Sequence, residues 1–213
     1  HNQRDYVLEI ANWLAGVSGS LGKMAGDILM LAQTEVGEVR LLGAGGSSAM
    51  PQKNNPVLAE VVPALARRNA GLLSTMHQSV LHHHERDGAA WTLEWFTLPD
   101  MIRTTSASLL HGLAITQSIE ADKTAMNNNL TPGLLAEAAT YALAAYMPKS
   151  EAQLLVKDAI QAVSGCDNKQ KDFLDIIASS NTHPINWEVL RNPINYLGAA
   201  NAFIDAVLEE VKK

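Results

Sequence analysis

Two stretches concentrate side chains able to do chemistry. The first, Leu41-Leu42-Gly43-Ala44-Gly45-Gly46-Ser47-Ser48-Ala49-Met50-Pro51-Gln52-Lys53-Asn54-Asn55-Pro56, sets three glycines and two serines ahead of a Lys-Asn-Asn patch. Backbone N–H groups in such a loop can cradle an anion, and Lys53 adds positive charge. The loop lacks the G-x-x-x-x-G-K-[ST] spacing of a nucleotide phosphate loop. On composition alone, an ordinary long connection explains it equally well. The second stretch, His82 to Asp100, reads H-H-H-E-R-D-G-A-A-W-T-L-E-W-F-T-L-P-D. Three histidines beside Glu85 invite a metal reading, but consecutive residues on one element diverge and no H-x-x-x-H spacing occurs. A solvated or pocket-lining helix end fits better, so no metal is expected. Arg86 can hold a substrate carboxylate or simply pair with Glu85 or Asp87. Trp91 and Trp95 share one helix face, over a pocket or as anchors in the core.

Long helices must position these stretches. Val7, Ile10, Leu14, Val17, Leu21, Met24, Ile28 and Leu31 recur at alternating spacings of three and four, the seam of a long helix in a near-parallel bundle. Gly16, Gly19, Gly22 and Gly26 interrupt it and read as places of close helix approach. Long helices are expected over 1–36, 54–82 and 95–119, with Pro99 tolerable only near the start of the third. So many long apolar faces predict packing against other copies; a monomeric bundle is the plainer alternative. Past Ile119 the elements shorten. Thr131-Pro132 reads as an N-cap with Pro at the first helical position of an Ala-rich helix to Tyr146. Ser150 reads as the cap of a helix ending near Gly165. Further helices are expected at 172–178, 186–190 and 196–211, and no strand alternation is visible. The fold class is therefore all-α: a long-helix domain over 1–119 carrying the loop 43–56, then a small helical domain over 120–213.

Composition agrees. The 213 residues carry 16 Lys+Arg against 22 Asp+Glu, a formal net charge of −6. That balance, with no basic stripe, argues against nucleic acid as a partner. No apolar run approaches the ~20 residues of a membrane span. Cys166 is the only cysteine, which excludes an intrachain disulfide framework and fits a cytoplasmic home. The opening His1-Asn2-Gln3-Arg4-Asp5 has no signal-peptide plan, and the chain is expected to begin inside a longer protein.

Residue order adds more. Gly46 to Glu60 reads G-S-S-x-M-P-x-K-x-N-x-x-x-x-E, and in this it resembles the signature of the fumarase/aspartase superfamily. His84 to Pro99 reads H-E-R-x-x-x-x-W-x-x-E-W-x-x-L-P, similar to the 3-carboxy-cis,cis-muconate cycloisomerases. Thr34-Glu35-Val36-Gly37-Glu38-Val39, Arg4-Asp5 and the segment from Pro193 to Ala199 resemble that family too. Adenylosuccinate lyases match at Glu85, Arg86, Asp87, Glu94, Leu98, Pro99 and Asp100. Their I-S-H-S-S core, however, is Gly88 to Thr92 here, and their second arginine is Trp95. The groups lost are those that would hold a phosphate, and an indole replaces them poorly. Gln52 and Asn54 stand where the cycloisomerases carry His and Arg.

The resemblance implies a homotetramer with active sites shared between subunits, a small polycarboxylate substrate and no cofactor. It implies Ser47 as the proton-transfer residue, with Ser48 its rival, and Lys53 and Asn55 as the groups holding the carboxylate and its developing charge. Met50, Arg86 and Trp95 are implied as substrate contacts, and Glu60 as the residue orienting a histidine. The implied reaction adds a carboxylate of a linear dienoate to a double bond within the same molecule. Another superfamily lyase and a catalytically silent helical scaffold are the alternatives. The physics suits the first reading. Charge developing next to a carboxylate needs cations and N–H donors around it, and a serine serves in proton transfer only where water is excluded.

Overall fold

The computed structural model describes residues 3–42, 45–46, 54–164 and 172–212. The chain is all-α in class and divides into two compact units, His1–Asn129 and Leu130–Lys213. Three long helices build the first: α1 (Asp5–Leu31), α2 (Val57–Ser79) and α3 (Gly88–Ser118). α1 and α3 run parallel and α2 antiparallel to both. At one end Ile28 of α1, Ala59 and Val62 of α2 and Ile115 of α3 share an apolar cluster. At the other end Ala11 and Leu14 meet Met76 and Met101.

A buried polar layer sits between those clusters. Asn69 Nδ2 donates to Ser18 Oγ (3.0 Å) and to Thr105 Oγ1 (2.8 Å), tying all three helices at one level. An unmade bond here would cost ~1–3 kcal/mol, so the layer penalises sliding of one helix past another.

Local chemistry explains where the helices begin. Asp87 caps α3 by accepting from Ala89 N (2.8 Å) and Ala90 N (3.2 Å), and the good helix formers that follow extend it from there. The helix thus starts at Gly88, ahead of the expected residue 95, and Pro99 lies well inside it. Of the four glycines on α1, only Gly22 marks a close approach: an added Cβ would lie 2.7 Å from the Ala66 Cβ. Around Gly16, Gly19 and Gly26 nothing lies within 4 Å of such an atom.

Two short antiparallel pairings also occur, too short to show as alternation in the sequence. β1 (Val39–Leu41) pairs with β4 (Ile119–Ala121), and β2 (Gly45–Gly46) with β3 (Asn54–Asn55). The first pairing draws the chain beyond Ile119 into the first unit. Asp122 caps α4 (Lys123–Asn128), and Asn129 Nδ2 donates to Val36 O at 2.8 Å. The first unit consequently runs past the boundary expected near Glu120.

The second unit gathers α5 (Ala136–Ala144), α6 (Lys149–Ser164), α7 (Phe173–Ser180), α8 (Trp187–Arg191) and α9 (Ala200–Val211). Leu143, Val156, Phe173, Leu174, Ile177 and Leu190 form its core. Thr131-Pro132 opens a 3-10 turn over Pro132–Leu135 rather than an α-helix, and Thr131 makes no side-chain cap. Ser150 falls inside the first turn of α6. The last helix begins at Ala200, behind a second 3-10 turn over Pro193–Tyr196. Cys166 lies outside the described residues.

Candidate active site

The glycine–serine stretch and α2 form one end of the candidate machinery. Gly45 stands opposite Asn55 and Gly46 opposite Asn54 in the β2–β3 pair, so the backbone of Asn55 is fixed two residues before α2. Glu60 follows in the first turn of that helix and is exposed. Ser47, Ser48, Met50 and Lys53 lie outside the described residues.

The other end is built around the start of α3. The Arg86 guanidinium carbon lies 4.9 Å from the centroid of the Trp91 ring. Trp91 in turn meets Trp95 at a centroid distance of 5.0 Å and an interplanar angle of 54°. The two indoles share one face, and Trp95 is 60% exposed, so it is no core anchor within this chain. Arg86 leans on an aromatic face rather than on Asp87. That carboxylate is already taken by His83, whose Nδ1 lies 2.6 Å from Asp87 Oδ2, and by the two capping amides. The His83 contact comes first in holding the Asp87 carboxyl at about 2, below its ordinary 3.8, and the Ala90 and Ala89 amides add to it.

The three histidines build the turn that presents Arg86. His82 Nδ1 accepts from the Asp87 amide at 3.2 Å, and His84 adopts a left-handed φ of 56°. Among the described residues no group of three His, Cys, Asp or Glu is placed to hold a metal ion.

One residue before Trp95 stands Glu94, half of an ion pair that sequence reasoning missed. Arg4 Nε donates to Glu94 Oε2 at 2.8 Å, its Nη2 to Oε1, and Glu94 is only 5% exposed. Glu94 falls between Ala90 and Thr97 on the buried face of α3. A carboxylate at that phase of the helix needs a partner, and that was the available signal. The pair locks the start of α3, with its tryptophans, to the start of α1.

Among the described residues these two ends do not meet within one chain. Glu60 belongs with the Ala59–Val62 end and Trp91 with the Met76–Met101 end. The 23 residues of α2 between them span about 34 Å. The chain joining Gly46 to Asn54 can reach no farther than about 15 Å from its anchors.

Comparison with known proteins follows the same lines. A family model described as lyase matches residues 1–71. Along nearly its whole length the chain is similar to members of the fumarase/aspartase superfamily. Within it, the chain is 37% identical to the 3-carboxy-cis,cis-muconate cycloisomerase of Acinetobacter baylyi, over 100% of this chain and 49% of that one. It is 36% identical to that of Pseudomonas aeruginosa, over 99% and 48%. The crystal structure of the 3-carboxy-cis,cis-muconate lactonizing enzyme from Pseudomonas putida superposes with a TM-score of 0.85 at 35% identity, covering 99% of this chain and 48% of that one. The chain therefore spans about half the length of the curated relatives it matches.

Proposed function

We propose that this chain is the C-terminal part of a cytoplasmic 3-carboxy-cis,cis-muconate cycloisomerase. It acts as a homotetramer that assembles each active site from more than one copy. One observation carries the reading: the Arg86–Trp91–Trp95 cluster, with the arginine laid on the half-buried Trp91 indole and Trp95 exposed beside it. A guanidinium offers a carboxylate two parallel donors, while an indole offers a broad apolar face and a single N–H. The guanidinium suits a carboxylate, and the two indoles suit a flat conjugated body and suit a phosphate badly.

In the lactonising direction a carboxylate oxygen attacks a double-bond carbon and a proton reaches the neighbouring carbon. Ser47 delivers that proton, with Ser48 beside it. Lys53 and Asn55 hold the carboxylate whose charge grows as the new C–O bond forms, and Met50 contributes a contact from the same loop. Arg86 holds a further carboxylate, Trp95 covers the diene, and Glu60 orients a histidine from the part of the protein outside this chain. The separation of the two ends supports sharing between copies, because no single chain can bring Lys53 to Arg86.

The deciding assay gives the full-length protein 3-carboxy-cis,cis-muconate and follows loss of the diene absorbance. Turnover with no measurable binding of adenylosuccinate is expected. Tighter binding of adenylosuccinate than of carboxymuconate would replace this reading with a nucleotide-type lyase. A lack of any turnover, with the tetramer intact, would leave a silent scaffold.

A further inference from the structure

The open cavity between α5 and α6 has a volume of about 420 Å³, within the range of small-molecule sites. It lies wholly in the second unit and shares no residue with the candidate site above. Its walls differ in chemistry. Along α6, Lys149, Gln153, Lys157 and Gln161 recur every four residues and so form one ridge. On α5, Glu137 and Tyr141 stand one turn apart across from it. Val156, which is buried, and the half-buried Ile160 supply an apolar floor.

The two ammonium groups are not equivalent. Lys149 Nζ lies 4.7 Å from the centroid of the Tyr141 ring and donates to its Oη at 3.4 Å, so it is engaged at the mouth. Lys157, two turns on and about 12 Å along the axis, joins none of the ion pairs among the described residues. An amide one turn away flanks it on either side. Two lysines against Glu137 leave the lining one positive charge in excess. That favours one carboxylate, and Glu137 disfavours a second.

We propose that this cavity is a binding site for a small monocarboxylate with a flat apolar body. The carboxylate meets Lys157 and the flanking Gln153 and Gln161 amides, and the apolar body rests on Val156 and Ile160 beside Tyr141. The charge-assisted contact supplies specificity and the floor most of the affinity.

Benzoate, with benzamide as its neutral counterpart, is the probe. Titration into the isotope-labelled 213-residue chain should give saturable amide-resonance shifts confined to α5 and α6. Benzamide should bind at least tenfold more weakly. Lys157→Gln should weaken benzoate at least tenfold, and Ile160→Trp, which fills the floor, should abolish the shifts. Arg86→Ala should leave them unchanged, which separates this site from the catalytic reading. Non-saturable shifts, shifts centred outside α5 and α6, equal binding of benzamide, or indifference to both Lys157→Gln and Ile160→Trp would each overturn the proposal.

Discussion

Asp87 accepts two amides as the cap of α3 and holds His83 at the same time. Its carboxyl lies at about 2 in the fold against an ordinary 3.8. Because the folded value is the lower one, the cap contributes its stability fully above about pH 4, and loses it as pH falls toward about 2. Thermal unfolding should therefore separate the native chain from Asp87→Asn at about pH 5, and the gap should close toward about pH 2. In the signature loop, Ser47→Ala in the full-length enzyme should lower turnover by ~10²–10⁴ with substrate binding nearly intact, as loss of a proton-transfer group does. Should Ser48→Ala be the crippling change instead, the two serines exchange roles. Trp95→Arg should weaken dienoate turnover and leave the assembly folded, measured by rate and sedimentation together. The candidate positions of this chemistry are named by residue order, since a signature gives its positions outright. The Arg86–Trp91 contact was not legible there. These residues are five apart and one of them precedes the helix, so helical spacing rules do not pair them. The left-handed turn at His84 is among the steps that bring them together.

At the scale of elements, the heptad seam of α1 is an apolar face that the other two long helices cover in part. Leu21 packs on the apolar cluster shared by all three helices, and Ile28 is buried in it. Ile10 of the same seam is 50% exposed, whereas Ile28 is buried within the chain, so charge placed at Ile28 should unfold the first unit. A pattern of spacings shows which face is apolar and is silent on what covers it. Glycine spacing has the same limit. Gly22→Ala should destabilise by ~1–3 kcal/mol, the usual cost of overpacking, because the new methyl meets Ala66. Gly19→Ala should be tolerated, and a denaturant melt of both variants checks the ranking. The start of α3 lies ahead of the expected residue 95 because Asp87 and the alanines behind it begin the helix earlier.

For the whole molecule, the faces left over matter most. Trp13 on α1 is 64% exposed, and Phe96 and Leu110 on α3 are 71% and 69% exposed. Large apolar side chains in such number on two neighbouring helices are what an assembly interface needs. The full-length protein should sediment as a tetramer, and Trp13→Asp with Leu110→Asp should dissociate it into folded chains. A native-like monomer of the unsubstituted protein would contradict this. The length of α2 then has a genetic consequence. A chain carrying Ser47→Ala still contributes a sound Arg86, and a chain carrying Arg86→Ala still contributes a sound loop. On the proposed shared sites, neither allele alone should support activity, yet co-expressed they should form mixed assemblies in which roughly a quarter of the sites draw both sound halves, the product of two even chances. Two recessive lesions in one gene should then complement each other, and a cell carrying both would grow where either parent fails.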